Sequence, residues 1–190
     1  FPLLSAVAAR TSKIEIGTGV IDMRYENPLY MAEEAGAADL ISGGRLQLGI
    51  SRGSPEQVIE GWRYFGYAPE EGETDADMGR RHAQVFLEMI EGHGFAEPNP
   101  RPMFPNPPGK LRLEPYSEGL RDRIWWGAGS NKTAEWAAML GMNLQSSTLK
   151  DDETGEPFHV QQAKQIRKYR EAWAAAGHAR APRVSVSRSN

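Results

Sequence analysis

The chain has 190 residues, 39% of them hydrophobic and 25% charged, enough for one domain with a sizeable core. A mean hydropathy of -0.56 and no apolar run near 18 residues exclude a membrane-spanning helix. A net charge of -3 offers no basic stripe for nucleic acid, and zero cysteines exclude disulfides, a thiol nucleophile and thiolate metal sites, as expected of a protein in a reducing cytoplasm.

Phe1-Pro2-Leu3-Leu4 has neither an initiator Met nor a basic leader region, so it does not read as a signal peptide. Pro2 to Ala9 is a short helix. Lys13 to Val20 alternates like a strand and ends in Gly17-Thr18-Gly19-Val20. Asn27-Pro28 starts a helix, Asn as N-cap and Pro in the first turn, that runs to about Leu40. Leu29, Ala32, Ala35, Gly36 and Leu40 are its expected core face, Gly43-Gly44 its stop, and Arg45 to Ile50 the next strand.

Ser54 to Tyr64 is expected to be helical, residues 67–78 form an acidic insertion loop, and Arg80 to Glu91 is a helix buried through Val85, Phe86, Met89 and Ile90. Seven prolines between Glu97 and Pro115 rule out a helix or central strand, so residues 97–123 are a proline-rich excursion over the rim or a lid. Strand Ile124–Trp126, helix Asn131–Leu140 and strand Asn143–Ser146 follow. An acidic loop leads to a helix over Phe158–Ala176, with Ala163, Ile166, Tyr169, Trp173 and Ala176 on one face and Gly177 closing it. Arg183 to Arg188 is the last strand, and an end so soon after it reads as an internal piece of a longer protein.

Strict alternation of strands and helices means parallel strands joined by crossover helices, an α/β fold. A closed (β/α)8 barrel takes about 250 residues. The expectation is one domain over residues 1–190, an incomplete TIM barrel holding about strands 3 to 7. An open doubly wound sheet is the alternative, but G-x-G-x-x-G after the first strand is missing.

Two strand ends carry the chemistry. Ser130 stands at the N-cap of its helix, with the amides of Lys132 and Thr133 at the positive end of the helix dipole and Thr133 adding a second hydroxyl. Such a ring of donors suits a phosphate, although an isolated Gly-Ser at a helix start more often only caps its own helix. Arg52 closes the earlier strand between Gly49 and Gly53, which remove side chains where a ligand's edge would approach. Alone it reads equally as a solvated surface arginine. Gly17-Thr18-Gly19-Val20 marks either a close backbone approach or a flexible turn.

In order, Ile16-Gly17-Thr18-Gly19, Asn27-Pro28, Asp39 to Arg45 as D-x-x-S-G-G-R, Leu48 to Gly53, Tyr64-Phe65-Gly66 and Gly129 to Ala138 resemble the bacterial luciferase-like, flavin-dependent monooxygenase family. The resemblance covers essentially the whole chain and implies a (β/α)8 barrel, often dimeric. It implies that Arg52 binds the FMN phosphate with Ser51 on the flavin side. It also implies that Gly53, Gly129, Ser130 and Thr133 complete the phosphate site, and that Thr18, Gly19 and Val20 form a bulge beneath the flavin ring, with a non-prolyl cis peptide near Gly19-Val20. The chain departs from luciferase in having Ser51 where luciferase has a cysteine and Gly129 where it has an acidic residue, and it lacks the earlier strand bearing the family's candidate catalytic histidine. The catalytic residue is therefore unknown.

The chemistry so implied is oxygenation of a small organic substrate by reduced FMN and O2, the flavin being reduced by NAD(P)H or supplied reduced by a flavin reductase. The rivals are a deazaflavin-dependent hydride-transfer enzyme on the same barrel, a non-catalytic flavin-binding subunit, and a barrel enzyme that uses these residues for another phosphate. Trp125 and Trp126 divide between a dry barrel wall and plain core. His82, His93, His159 and His178 have no metal-ligand spacing and read as surface or helix-face residues, and Asp151-Asp152-Glu153 reads as a solvated loop. No metal site is expected.

Overall fold

The computed structural model describes residues 1–53, 58–147 and 155–187. They form two compact units. One comprises Phe1–Ile16, Met23–Leu46 and Glu60–Arg121; the other comprises Gly17–Asp22, Gln47–Ile59 and Asp122–Asn190.

The first unit is mainly helical, with α1 (Pro2–Arg10), α2 (Pro28–Ser42) and α3 (Asp75–Ile90). Asn27 caps α2 as expected, its side chain accepting from the Leu29 and Tyr30 amides at 3.0 and 3.2 Å. The buried face of α2 is not the expected one. Leu29 and Leu40 are exposed, and Met31, Ala32, Ala35, Gly36, Ala38, Asp39 and Ser42 are buried. The reason is close packing: a Cβ built on Gly36 would lie 2.1 Å from the Pro115 carbonyl oxygen, so small residues win over leucines there.

The D-x-x-S-G-G-R stretch proves to be a structural knot in this unit. Asp39, fully buried, accepts from the Leu46 amide at 3.2 Å and the Ser117 hydroxyl at 2.7 Å. Gly43 takes the left-handed conformation that ends α2, and Gly44 follows it there. The Arg45 guanidinium then donates to the carbonyls of Ala8, Thr11, Ile14 and Ser42.

The helix expected from Arg80 begins earlier, at Asp75, because Thr74 and Asp77 close a capping box there. The helix expected from Ser54 is not found among the described residues; Gly61–Phe65 is a short 3-10 turn instead, and 54–57 lie outside the description. His82 is buried in α3 with Nδ1 2.9 Å from the Met23 carbonyl. The proline-rich stretch is irregular, pinned by a bridge between Ala96 and Leu111.

The second unit carries the sheet. Its strands are β1 (Ile16–Gly17), β2 (Ile21–Asp22), β3 (Leu46–Ser51), β4 (Ile124–Ala128), β5 (Asn143–Ser146) and β6 (Val184–Val186), with helices α4 (Asn131–Met139) and α5 (Phe158–Ala176). The order is β1-β3-β4-β5-β6, with β2 also on β3, and the pairs β2–β3, β3–β4, β4–β5 and β5–β6 are parallel. Strands that follow one another without reversal are those of a barrel segment; a doubly wound sheet reverses order at its switch point. Of the strand expected over Lys13–Val20, Ile16–Gly17 forms β1; Thr18 to Val20 then lead to β2, which begins one residue past the expected end.

The two faces of this sheet differ. Leu48 and Ile50 of β3, Ile124, Trp126 and Ala128 of β4, and Leu144 and Ser146 of β5 are fully buried. Trp126 packs edge-on against Trp136 of α4, which places this face under the helices. The alternate residues, Gln47, Gly49, Ser51, Trp125, Gly127, Asn143 and Gln145, make the other face, where Trp125 Nε1 donates to Gln47 Oε1 at 2.8 Å. Of the tryptophan pair, Trp126 is core and Trp125 stands on the opposite face.

On α5 the expected face is only half right. Tyr169 and Trp173 are buried, Ala163 and Ala176 are exposed, and Gln162 and Gln165 take their places inside. The acidic stretch Asp151-Asp152-Glu153 lies outside the described residues. Among those described, no helix is long and apolar enough to cross a membrane.

Candidate functional site

The register decides which groups share a rim. Ile50 pairs with Trp126 and Ala128 with Ser146, while Ile21 and Asp22 pair with Ile50 and Ser51. Ser51, Arg52 and Gly53 therefore leave the sheet at the same end as Gly129 and Ser130, on adjacent parallel strands. This is the carboxyl end, where the loops of an α/β barrel hold ligands.

At the first exit, the Gly53 amide donates to Ser51 Oγ at 3.0 Å, and Gly53 takes φ of 89°, which favours glycine. This tight turn fixes the half-buried Arg52 at the top of β3. At the second exit, Ser130 is the N-cap of α4. Its Oγ accepts from the Thr133 amide at 3.3 Å, and Thr133 Oγ1 lies 3.4 Å from the Ser130 amide. The two hydroxyls are 3.1 Å apart. Ser130 thus does cap its own helix, and both hydroxyls sit in one reciprocal box at the positive helix end.

Between β1 and β2, Thr18 Oγ1 donates to the Gly49 carbonyl at 2.9 Å and accepts the Gly49 amide at 3.0 Å. The close approach requires glycine, since a Cβ on Gly49 would lie 2.1 Å from the Gly19 carbonyl oxygen. Gly19 itself faces open space, with nothing within 4 Å of a built Cβ. Val20 leans over Gly127, its Cγ1 2.6 Å from where a Cβ would sit. The expected cis peptide near Gly19-Val20 is not there; the cis bond found among the described residues is Glu114-Pro115. The Thr18 clamp holds the bulge with trans peptides, and a non-prolyl cis bond costs about 3–4 kcal/mol.

Thr18, Gly19, Ser51, Arg52, Gly53, Gly129, Ser130 and Thr133 all belong to the sheet-bearing unit: Thr18 and Gly19 lie beside Gly49, and the others stand at the exits of β3 and β4. A guanidinium, the first turn of a helix and paired hydroxyls form a donor set for an anion, and the open side of Gly19 leaves room for a flat ring system. The residues present fit a flavin phosphate.

The residues that sequence reasoning missed stand behind this rim. Gln165 Nε2 donates to the Ser130 carbonyl at 2.9 Å and the Ala128 carbonyl at 3.4 Å, and Ser146 Oγ donates to Gln165 Oε1 at 2.6 Å. Gln162 Nε2 donates to the Ser187 carbonyl at 2.9 Å. Their signal was the spacing 162, 165, 169, 173, the true buried stripe of α5.

Among known proteins, the chain is 29% identical over 140 residues to an alkanal monooxygenase alpha chain from the Kryptophanaron alfredi symbiont, a match covering 70% of this chain and 35% of that protein. It shares its fold with the FMN-bound oxygenating constituent of 3,6-diketocamphane monooxygenase from Pseudomonas putida, at TM-score 0.69 and 18% identity over 97% of this chain and 50% of that one. The fold is also that of the coenzyme F420-dependent tetrahydromethanopterin reductase from Methanopyrus kandleri, at TM-score 0.62 and 19% identity over 97% of this chain and 52% of that one. The chain thus spans about half, or less, of the length of these relatives. The family model for luciferase-like monooxygenases matches residues 1–189, and the chain belongs to that family.

Proposed function

We propose that this chain belongs to an FMN-dependent monooxygenase that acts on a small organic substrate, and that it holds the flavin phosphate between Arg52 and the start of α4. The observation that carries the reading is the parallel register, which brings the exits of β3 and β4 to one end of the sheet. Arg52 would neutralise the phosphate, while Ser130 and the Asn131 and Lys132 amides donate to its oxygens and Thr133, which donates to Ser130, holds that residue in place. Gly129 and Gly53 keep bulk away from the approach. Ser51, whose oxygen accepts from Gly53, retains a proton to donate on the flavin side. Reduced FMN, when bound, supplies the two electrons with which one atom of O2 enters the substrate and the other leaves as water. The face bearing Gln47, Trp125 and Gln145 would line the substrate side, and Trp125 would limit water there.

The test is FMN binding to the purified protein, read by quenching of flavin fluorescence. Arg52→Ala should weaken FMN by about 2 kcal/mol or more, roughly thirtyfold, and leave riboflavin, which has no phosphate, unaffected. Unchanged FMN affinity would remove the site. The fold shared with an F420-dependent reductase supports a second reading, hydride transfer with a deazaflavin. Tight binding of F420 together with failure of reduced FMN to drive O2 consumption would favour it. Flavin binding without any turnover would favour a non-catalytic subunit.

A further inference from the structure

Gln165 is 1% exposed, and its amide bonds to the carboxyl ends of the strands. Its Nε2 donates to the carbonyl of Ser130, the N-cap residue of α4, and more weakly to that of Ala128, the last residue of β4. Its Oε1 accepts from Ser146, the last residue of β5. One turn away, Gln162 donates to Ser187 just beyond β6 and, at 3.4 Å, to the Ser146 carbonyl. Two amides on one helix therefore tie together the exits of three neighbouring strands.

An apolar residue would fill this place on α5 more cheaply, because a buried amide must have every polar atom met. The Ser130 carbonyl also accepts from the Ala134 amide at 3.2 Å and from Thr133 Oγ1 at 3.1 Å, and what an apolar residue cannot supply is the third donor, which comes from outside α4. That carbonyl belongs to the residue whose amide and hydroxyl form the capping box with Thr133. Its orientation sets where the Ser130 hydroxyl and the first-turn amides of α4 aim. We infer that Gln165 is a positioning residue for the flavin phosphate. It touches no ligand and acts by holding the Ser130–Thr133 box in register with the exit of β3. This inference rests on the phosphate reading above.

The experiment compares FMN with riboflavin on the purified protein and on Gln165→Leu, Gln165→Glu and Ser146→Ala. Gln165→Leu removes the donor to Ser130 and should weaken FMN about tenfold, with riboflavin affinity unchanged. Gln165→Glu keeps size and the acceptor for Ser146 but loses the donor and adds a negative charge, so the FMN loss should be at least as large. Ser146→Ala frees only one end of the amide and should give a smaller loss in the same direction. A purely structural role would lower the melting temperature while leaving the FMN-to-riboflavin ratio at its original value, and that result overturns the inference. If the unaltered protein itself binds FMN no better than riboflavin, the phosphate reading fails instead. If Gln165→Leu does not fold, Ser146→Ala, which adds no charge, decides the matter by the same ratio.

Discussion

Gly49→Ala is a sharp test of how the bulge is built. Gly49 is not among the glycines of positive φ, so its requirement is for room. An added Cβ would sit 2.1 Å from the Gly19 carbonyl oxygen and 3.0 Å from that of Thr18, both backbone atoms. Relief needs a displacement of about 1 Å, which the two Thr18–Gly49 hydrogen bonds at 2.9 and 3.0 Å cannot survive. Overpacking costs about 1–3 kcal/mol and each lost bond about 0.5–1.5. Against this, alanine restricts the unfolded chain and returns about 0.4–1 kcal/mol. The net loss should be about 3 kcal/mol, read as a lower urea midpoint, or as a fall in melting temperature of about 6–12 °C. Thr18→Val, which removes the bonds without the clash, should cost about 1–2 kcal/mol. Gly19→Ala, whose Cβ meets nothing, should change stability by less than about 0.5 kcal/mol. If Gly49→Ala unfolds within about 0.5 kcal/mol of the original protein, or Gly19→Ala is as damaging, the close-approach argument is wrong.

Two further outcomes follow from the helical unit. Asp39→Ala removes a fully buried carboxylate that serves the Leu46 amide and the Ser117 hydroxyl, and should cost about 2–4 kcal/mol in urea unfolding. Ser117→Ala should cost about 1 kcal/mol, and the double variant less than the sum of the two singles. Asp77 accepts from Thr74 and Arg80 in the α3 capping box, which holds its pKa at about 2, below the ordinary 3.8. Its folded pKa lies below its unfolded one, so its contribution is complete above about pH 4 and is lost as pH falls toward 2. Melting temperatures of the protein and of Asp77→Asn should therefore differ at pH 6 and converge by about pH 2; a constant gap would refute the assignment.

The ends of elements were legible in the sequence wherever a single residue type enforces them. Asn27-Pro28 starts α2, Gly43-Gly44 stops it, and Gly177 closes α5, because capping and positive φ are local chemistry. Buried faces were less legible. Apolar periodicity put Leu29 and Leu40 of α2 inside and overlooked Gln162 and Gln165 of α5, since the choice there depends on what another part of the chain presents. On α2 it was the Pro115 carbonyl that demanded small residues; on α5 it was strand carbonyls that demanded donors. The glycines of Gly17-Thr18-Gly19-Val20 did mark a close backbone approach, but the Lys13–Val20 alternation did not name Gly49 as the residue that Thr18 clamps. In the motif Asp39 to Arg45, Asp39 and Arg45 bond within the helical unit, to the Leu46 amide and to the carbonyls of Ala8, Thr11, Ile14 and Ser42.

The two ends of the sheet solve one problem, open carbonyls at strand termini, with different chemistry. At the amino end of β5, Arg180 donates to the Gly141 carbonyl, to Asn143 and to Asp122, and stacks on Trp173 with its charge 4.7 Å from the ring. At the carboxyl end the same task falls to Gln162 and Gln165, which are neutral. An arginine behind Ser130 would bond those carbonyls more strongly, but it would place a second cation beside α4 and draw a phosphate away from Arg52. A glutamate would repel the anion and could not donate. An amide alone satisfies the carbonyls while leaving the field at the rim to Arg52 and the helix dipole. The neutral Asn143 amide and Tyr169 hydroxyl share the amino end with Arg180, donating to the Asp122 and Met142 carbonyls, whereas at the carboxyl end Gln162 and Gln165 add no charge beside the proposed phosphate site.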